Sequence, residues 1–271
     1  MTTVRELTQW MEITAPGRLS EEWDNTGLLL GDLQREVHRV MTCLTLTPES
    51  ADEAIGEQAD LVLCHHPLPF RPLKCITTAD PTGRLLWELA SHTVSVYSPH
   101  TSWDSAPEGI NAQIANLLGL RNSLPLRPEK CSSMSTSDES SALGSGRFGD
   151  LDSFLDLDAF AKLVATQIPN CRLRGVDCRR RIRRVGIACG SGGSLLSLAV
   201  MQGCEVFLTG EATFHQCLEA RAAGVSMLMI GHFASEKFAM DRLAQMCKQQ
   251  FPGLEVWGSR SEQDPVRQIL C

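Results

Sequence analysis

Short runs of apolar residues recur along the chain, and each is followed by a break of small or polar residues and then by a stretch with helical spacing. Such alternation is typical of α/β proteins in which consecutive strands lie parallel in one sheet. We therefore predict a fold of two α/β domains with mostly parallel strands. The six runs that carry this pattern are "RVMTCLTL", "ADLVLCHHP", "TVSVYSPHT", "RVGIACGSGG", "CEVFLTGEA" and "VSMLMIGHF".

The start of the chain predicts a short amphipathic helix. Thr3 and Glu6 have the spacing of a capping box, and Leu7, Trp10 and Met11 follow at helical intervals. The alternating pattern fails only between residues 121 and 150, where "EKCSSMSTSDESSALGSG" offers little that could be buried. We interpret that stretch as a loop or linker and as the natural place to divide the chain.

Composition narrows the class of protein. The 271 residues include 43% hydrophobic residues, enough for one large or two ordinary domains, and the net charge of -7 works against indiscriminate binding to nucleic acid or anionic membrane. Eleven cysteines, an odd number without C-x-x-C spacing, indicate free thiols in a reducing compartment. Charges in the first ten residues argue against a signal peptide. We expect a soluble cytoplasmic protein without a membrane or nucleic-acid partner.

Three of the strand-like runs are followed at once by side chains that bind metals. They are His65 and His66 after the second run, His100 and Asp104 after the third, and His232 and Glu236 after the sixth. The last two pairs have i,i+4 spacing, which places both side chains on one face of a helix. Because the carboxyl ends of parallel strands share one edge of a sheet, where ligands bind, we expect a metal site at the strand ends.

The number of donors suggests how many ions this site holds. Six donors exceed the three or four of a single zinc site, and they indicate two divalent ions, as in many phosphatases and nucleases. Imidazole and carboxylate ligands suit zinc, iron, manganese, cobalt and nickel, so the identity of the metal stays open. Taken singly, a histidine next to a strand is more often a hydrogen-bonded structural residue than a metal ligand.

Two further motifs have both a functional and a structural interpretation. The glycine-rich stretch "ACGSGGSLLSLA" could bind a phosphate through backbone N–H groups near Ser191 and Gly192, but its spacing is not that of a P-loop, which favours a tight turn. Glu211 and His215 could act on a substrate as acid or base. The simpler interpretation is a surface pair on an amphipathic helix.

A basic run and a cysteine also have two interpretations. The run from Arg179 to Arg184 could attract a nucleotide or nucleic acid, although a solvated strand edge that discourages strand addition is the simplest role. Cys64 could be a soft metal ligand, but a small buried residue within a strand is the commoner role.

The chain also resembles a known family through its motifs. In order along the chain, "EEWDNTGLLLGD", "LVLCHHPLPFRPL", "YSPHTSWDSAPEGIN", "GIACGSGGSLL", "FLTGEATFHQ" and "GHFASE" are similar to successive blocks of the NGG-interacting-factor-three-like proteins, also known as type 2 homologues of GTP cyclohydrolase I. The resemblance implies a two-domain α/β protein with a dinuclear metal site, commonly assembled into a ring-shaped homohexamer.

The resemblance also implies which residues bind the ions. The implied ligands are His65, His66, Asp104, His232 and Glu236, with His100 as a sixth ligand or as a residue that orients the site. Because the last two ligands lie near the C-terminus, they predict a discontinuous metal-binding domain of residues 1–125 and 226–271 with residues 126–225 inserted as a second domain.

The sequence departs from the family pattern near the inferred substrate contacts. Glu211 stands where an aspartate is usual, Gln216 follows His215 where a second histidine often occurs, and Ser102 and Trp103 replace an asparagine and a small or apolar residue. The inferred substrate contacts are Glu211, His215, Ser191 and Gly192. We expect either a metal-dependent hydrolase of a nucleotide or of a small phosphorylated or heterocyclic substrate, or a non-catalytic metal-binding scaffold or regulatory factor.

Overall fold

The computed structural model describes residues 1–129, 143–267 and 269. The chain divides into two compact units: unit 1 consists of Met1–Trp103 with Ala239–Cys271, and unit 2 of Asp104–Phe238. The boundaries expected near residues 125 and 226 both lie inside unit 2. Both divisions fall within helices that contain no Gly or Pro to mark a linker in the sequence.

Helices of six or more residues occur in both units. In chain order they are Val4–Thr14 (α1), Pro48–Gly56 (α2), Pro81–Ser91 (α3), His100–Ser105 (α4), Ile110–Leu117 (α5), Leu157–Gln167 (α6), Leu196–Met201 (α7), Phe214–Ala223 (α8) and His232–Gln250 (α9). None of these helices in the described part of the chain is long and apolar enough to cross a bilayer.

The strands are short and form two main sheets. In chain order they are Gly27–Leu30 (β1), Arg39–Cys43 (β2), Leu61–Cys64 (β3), Ser95–Ser98 (β4), Arg121–Leu124 (β5), Arg127–Pro128 (β6), Gly144–Ser145 (β7), Arg147–Leu155 (β8), Arg174–Val176 (β9), Ile182–Ala188 (β10), Val206–Thr209 (β11), Ser226–Met229 (β12) and Glu255–Gly258 (β13).

Unit 1 contains a five-stranded sheet in the order β1-β4-β3-β2-β13. Strands β13, β2, β3 and β4 are parallel, and β1 is antiparallel at one edge. The core beneath this sheet packs β-strand residues such as Val62 and Val96 against Ala51 and Ala54 of α2 and Leu89 of α3. The carboxyl ends of β2, β3 and β4 therefore lie side by side.

Helix α1 begins as predicted, with a complete capping box. The Thr3 hydroxyl accepts a hydrogen bond from the Glu6 N–H, while the Glu6 carboxylate accepts one from the Thr3 N–H at 2.7 Å. Val4, Leu7 and Met11 are fully buried. The helical spacing of the apolar residues thus identifies the face that contributes to the core.

Unit 2 contains a six-stranded sheet in the order β5-β8-β10-β11-β12-β9. Strands β10, β11 and β12 are parallel, and the outer strands β8 and β9 are antiparallel to them. All six runs singled out in the sequence form the parallel strands at the centre of one sheet or the other. The α/β prediction with mostly parallel strands is confirmed.

Two local predictions in unit 2 are wrong. Strand β10 lies between β8 and β11, so the basic run that leads into it is not a sheet edge; Arg184 instead forms an ion pair with Asp150 of β8 at 2.8 Å. Part of the stretch expected to be a loop forms strands β5 and β8. Three of the four residues of β5 are exposed, so they give no apolar alternation. Residues 130–142 of that stretch lie outside the described residues.

Candidate functional site

In unit 1, three imidazoles lie together at the carboxyl ends of β3 and β4. His65 and His66 directly follow β3, and their N–H groups donate to Cys43 O at 3.0 Å and Leu44 O at 2.8 Å, at the end of β2. His100 begins α4 just after β4. The ring centroids are 5.0 to 5.6 Å apart. We call His65, His66 and His100 the imidazole cluster.

Two of these imidazoles are oriented by oxygen atoms of neighbouring residues. The His66 Nδ1 contacts the Thr45 hydroxyl at 2.7 Å, and the His100 Nδ1 contacts Asp24 Oδ1 at 2.7 Å. The Asp24 side chain is fully buried and also accepts hydrogen bonds from the N–H and hydroxyl of Thr101. Because Nδ1 is engaged in both rings, Nε2 is the nitrogen that each would present to a metal.

Asp24 is a carboxylate in spite of its burial. Burial raises the pKa of Asp24, but the hydrogen bonds from His100 and Thr101 together lower it more, so that its pKa lies below the ordinary value. A negative charge therefore lies next to Nδ1 of the His100 ring. Such a carboxylate–histidine pair fixes the ring and increases its basicity as a metal ligand.

The donor atoms of the imidazole cluster fit a metal site. One nitrogen from each of His65, His66 and His100 lies within 4.8 Å of the other two. Since metal–nitrogen bonds are about 2.0 to 2.1 Å long, three nitrogens at this separation can bind one ion or two neighbouring ions after small adjustments. Cys64 is buried in β3, where burial raises the pKa of its thiol to about 12 and its Sγ lies 3.7 Å from Tyr97 O.

In unit 2, a second group of donors lies at the carboxyl ends of β11 and β12. His232 begins α9, and its Nε2 lies 3.1 Å from Glu236 Oε2, one helical turn further on. Its Nδ1 lies 2.5 Å from Glu211 Oε1, just after β11. We call His232, Glu236 and Glu211 the carboxylate cluster. Donor atoms about 3 Å apart are spaced as two ligands of one ion are.

The carboxylates change the protonation of His232. Burial lowers the pKa of His232, but the hydrogen bonds and charges of Glu236 and then Glu211 raise it more, to about 9. Without a metal, the imidazole is therefore a cation at neutral pH. A metal that takes this ligand must displace a proton.

Gly190 makes room for the carboxylate cluster. It directly follows the turn out of β10, has a φ of +56°, and donates its N–H to Ser235 Oγ at 2.9 Å. A Cβ at this position would clash with Glu236 Oε1 and lie 3.3 Å from His232 Nε2. Only glycine therefore suits both the backbone conformation and the space beside these two donors.

Asp104 is fixed close to the same cluster. The Cys189 thiol donates to Asp104 Oδ1 at 3.1 Å, and Asn111 donates to Asp104 O at 3.0 Å and accepts from the Cys189 N–H at 2.8 Å. Burial first, and then the charges of Asp104 and Glu236, raise the pKa of Cys189 well above its ordinary value. Cys189 is therefore a neutral donor that can orient the Asp104 carboxylate.

Two of the three predicted i,i+4 pairs lie within a helix. The pairs His100/Asp104 and His232/Glu236 are each one turn apart in a helix, as their spacing predicts. The prediction that Glu211 and His215 lie on one face of a helix is wrong. Thr213 and Gln216 form a capping box, so α8 begins at Phe214 and Glu211 lies outside it.

The remaining predicted contacts are His215, Ser191 and Gly192. His215 is exposed on α8 beside the Phe214 ring, at 6.0 Å between centroids. Ser191 is exposed, and Gly192 begins a short 3-10 turn, Gly192–Leu195, as expected for a tight turn between strand and helix.

Several residues that hold the donors in place gave no signal as site residues in the sequence. They are Asp24, Thr45, Asn111, Cys189 and Ser235. Asp24 was interpreted only as a turn residue, and its contact with His100 joins positions 76 residues apart. Its membership in the block "EEWDNTGLLLGD" is the one sequence feature that could have identified it.

These observations define a class: an α/β protein of two units whose strand ends carry clustered histidine and carboxylate side chains that could bind metal ions. The profile of one family, Duf34/NIF3 (NGG1p interacting factor 3), matches residues 2–265. The chain belongs to this family, and the resemblance of its motifs is confirmed.

Relatives in distant organisms share most of the chain. A protein of Clostridium perfringens named "GTP cyclohydrolase 1 type 2 homolog" is 30% identical over 262 residues, which cover 96% of this chain and 97% of the relative. "Protein NIF3 homolog" of Schizosaccharomyces pombe is 34% identical over 245 residues, covering 86% and 85%. The crystal structure of Staphylococcus aureus protein SA1388 covers 99% of both chains with a TM-score of 0.86 and 26% identity.

Proposed function

We propose that this protein binds two divalent metal ions and uses them as a hydrolase. The proposed ligands are His65, His66, Asp104, His232 and Glu236, with His100 as a sixth ligand or an orienting residue. The observation that carries the proposal is the imidazole cluster, in which three histidine nitrogens lie within 4.8 Å of one another. Three imidazoles at one sheet edge are a donor set that divalent transition metals prefer.

The surroundings of the donors support the same function. Asp24 and Thr45 each hold Nδ1 of one imidazole, and this arrangement is typical of histidines that bind metals through Nε2. Bound divalent ions supply Lewis acidity and make a nucleophilic water accessible near neutral pH. Glu211, His215, Ser191 and Gly192 are the residues of this chain that we propose as substrate contacts.

The substrate we propose is a nucleotide or another small phosphorylated or heterocyclic molecule. The support comes from several relatives that bear the name "GTP cyclohydrolase 1 type 2 homolog". We also propose a homohexamer, as the resemblance of the motifs implies. We further propose a discontinuous domain of residues 1–125 and 226–271, as the resemblance of the motifs implies.

A second candidate function is a non-catalytic metal-binding scaffold or regulatory interaction factor. The specific support is the name of the family, NGG1p interacting factor 3, which describes a protein partner rather than a reaction. The two candidates require the same fold and the same ligands. They differ in whether a coordination position stays open to a substrate, since open metal sites are catalytic and closed ones structural.

Metal analysis of the purified protein beside His66→Ala tests the proposal. We expect about two equivalents of metal in the wild type and fewer in the variant, because one of three clustered imidazoles is lost. His92→Ala is the matched control, since His92 is exposed at the end of α3. A turnover screen on nucleotides and phosphoesters follows with the metals found.

The outcomes separate the two candidates. Two equivalents of metal without turnover on any substrate would favour the scaffold. Less than one equivalent in both the wild type and His66→Ala would contradict both functions.

A further inference from the structure

Two large aromatic side chains of unit 1 are exposed beside the imidazole cluster. Trp23 is 62% exposed and Phe70 is 50% exposed. Their ring centroids are 6.0 Å apart, and they lie 6.0 Å and 6.1 Å from the centroid of the His100 ring. Both rings therefore contact the edge of the cluster and not the protein core.

The residues next to Trp23 fix the position of both rings. Asp24 binds the His100 Nδ1, and Asn25 donates its side-chain amide to Pro69 O at 2.7 Å. Pro69 directly precedes Phe70. Two consecutive polar residues thus tie the loop that carries Trp23 to the imidazole cluster on one side and to the loop that carries Phe70 on the other. Rings held in this way bind a partner without a large cost in conformational entropy.

The geometry of the pair limits what it can bind. The rings are tilted by 41° at 6.0 Å, whereas a planar molecule sandwiched between two parallel rings needs about 7 Å. A planar ring would therefore stack on the exposed face of Trp23 and meet Phe70 with its edge. Two half-exposed rings offer roughly 200 Å², far less than the roughly 800 Å² that each partner buries in a stable protein interface. A small ligand fits this surface better than a protein.

We propose that Trp23 and Phe70 form the binding surface for the planar ring of a purine-type heterocyclic substrate and hold that ring beside the imidazole cluster. This inference rests on the proposed function, because it identifies the part of the same site that recognises the substrate. The role of the two side chains is binding and orientation. Stacking of this kind tolerates different bases, since every base has a π-face.

Guanosine is the probe that tests the inference, because it has the ring but no phosphate that could bind a metal. Its affinity for the purified protein is measured by tryptophan fluorescence and by calorimetry, with ribose as the ligand that lacks the purine ring. We expect Trp23→Ala to weaken guanosine binding by about tenfold or more. Phe70→Ala should have a smaller effect, and Trp23→Phe, which keeps an aromatic face, should stay within about threefold of the wild type.

The matched control is Trp87→Ala, since Trp87 is also exposed, at 56%, but lies on α3. We expect this variant to bind guanosine as the wild type does. Circular dichroism and the mass in solution of each variant show whether it is folded and assembled normally. A changed mass in Trp23→Ala with unchanged guanosine binding would identify the two rings as a contact between copies of the chain and would overturn the inference.

Two further results would also overturn it. One is equal guanosine affinity in the wild type and Trp23→Ala, and the other is no guanosine binding by the wild type at millimolar concentration. Metal content, measured on the same samples, distinguishes this failure from failure of the proposed function. Normal metal loss in His66→Ala with no effect of Trp23→Ala would contradict only the ring-binding surface.

Discussion

In unit 1, His66 and His100 each present Nδ1 to an oxygen of a neighbouring residue, whereas in unit 2 both nitrogens of His232 contact carboxylates. Two rings of the imidazole cluster are thus oriented through Nδ1, that of His100 by Asp24 and that of His66 by Thr45. The carboxylate cluster balances its own charges, because an imidazolium lies between two carboxylates. We infer that the first cluster is arranged for a metal before one binds, while the second must first lose a proton.

This difference has a physical consequence for each unit. A buried ion pair is stable only while both partners remain, and removal of one leaves an uncompensated charge. Loss of the contact between His232 and Glu236, which is nearly fully buried, would therefore destabilise unit 2 in the absence of a metal. In unit 1 the fully buried Asp24 carboxylate depends in the same way on its hydrogen bonds from His100 and Thr101.

The largest effect is expected from Gly190→Ala, which would break the carboxylate cluster. An alanine there combines a left-handed φ with a clash against Glu236, so we expect a loss of about 3 kcal/mol in the free energy of unfolding, together with loss of metal. Gly203→Ala is the control, since Gly203 has a similar φ of +72° but nothing within 4 Å of a Cβ. It should lose about 1 kcal/mol, from backbone strain alone.

Urea denaturation in the presence of a chelator measures both losses. Equal losses in Gly190→Ala and Gly203→Ala would show that the space beside Glu236 is not restricted, and would contradict the account of Gly190 given above.

A smaller effect, mainly on metal affinity, is expected from Asp24→Asn in unit 1. The amide cannot supply the negative charge behind the His100 ring, and loss of such a partner typically lowers metal affinity by about 10- to 100-fold. Competition with a chromophoric chelator measures the change. Asp32→Asn is the control, because Asp32 is an exposed aspartate whose carboxylate accepts only a local N–H, that of Gln34. An Asp24→Asn affinity within twofold of the wild type would show that the ring needs no such support.

The sequence contained the main elements of the fold because those elements are locally determined. The six apolar runs are buried strands, and the capping box at Thr3 and Glu6 begins α1 where the spacing predicts. The strand β13 was not predicted, because its residues are exposed or half-buried and carry no alternation. A helix start can likewise override spacing, as the capping box at Thr213 does for Glu211.

In the candidate site, only the metal-binding side chains could be predicted from the sequence. Metal-binding side chains after strand ends give a signal in the sequence, because residue type and position together limit what they can do. The residues that orient those donors give none: Thr45 and His66 are 21 positions apart, and Asn111 and Cys189 are 78 positions apart. Such pairs are brought together by the topology of each sheet, so local spacing cannot predict them.

The smallest effect is expected from Glu211→Gln. This variant compares the carboxylates of Glu211 and Asp24, each of which contacts Nδ1 of a histidine. Asp24 is fully buried, whereas the Glu211 side chain is 53% exposed, so solvent screens its charge. We expect a change in metal affinity below about fivefold, because the loss of orientation is partly offset by easier deprotonation of His232.

The pKa of His232 should fall from about 9 towards 6.5. A raised pKa stabilises the folded state fully below the unfolded value and loses that effect as pH rises through the folded value. The metal-free wild type should therefore exceed Glu211→Gln in stability by up to about 1 kcal/mol below pH 6.5, and the two should converge above pH 9. Denaturation across that pH range, with NMR titration of His232, measures both quantities. A stability difference that grows above pH 9 would contradict the assignment of an imidazolium to this cluster.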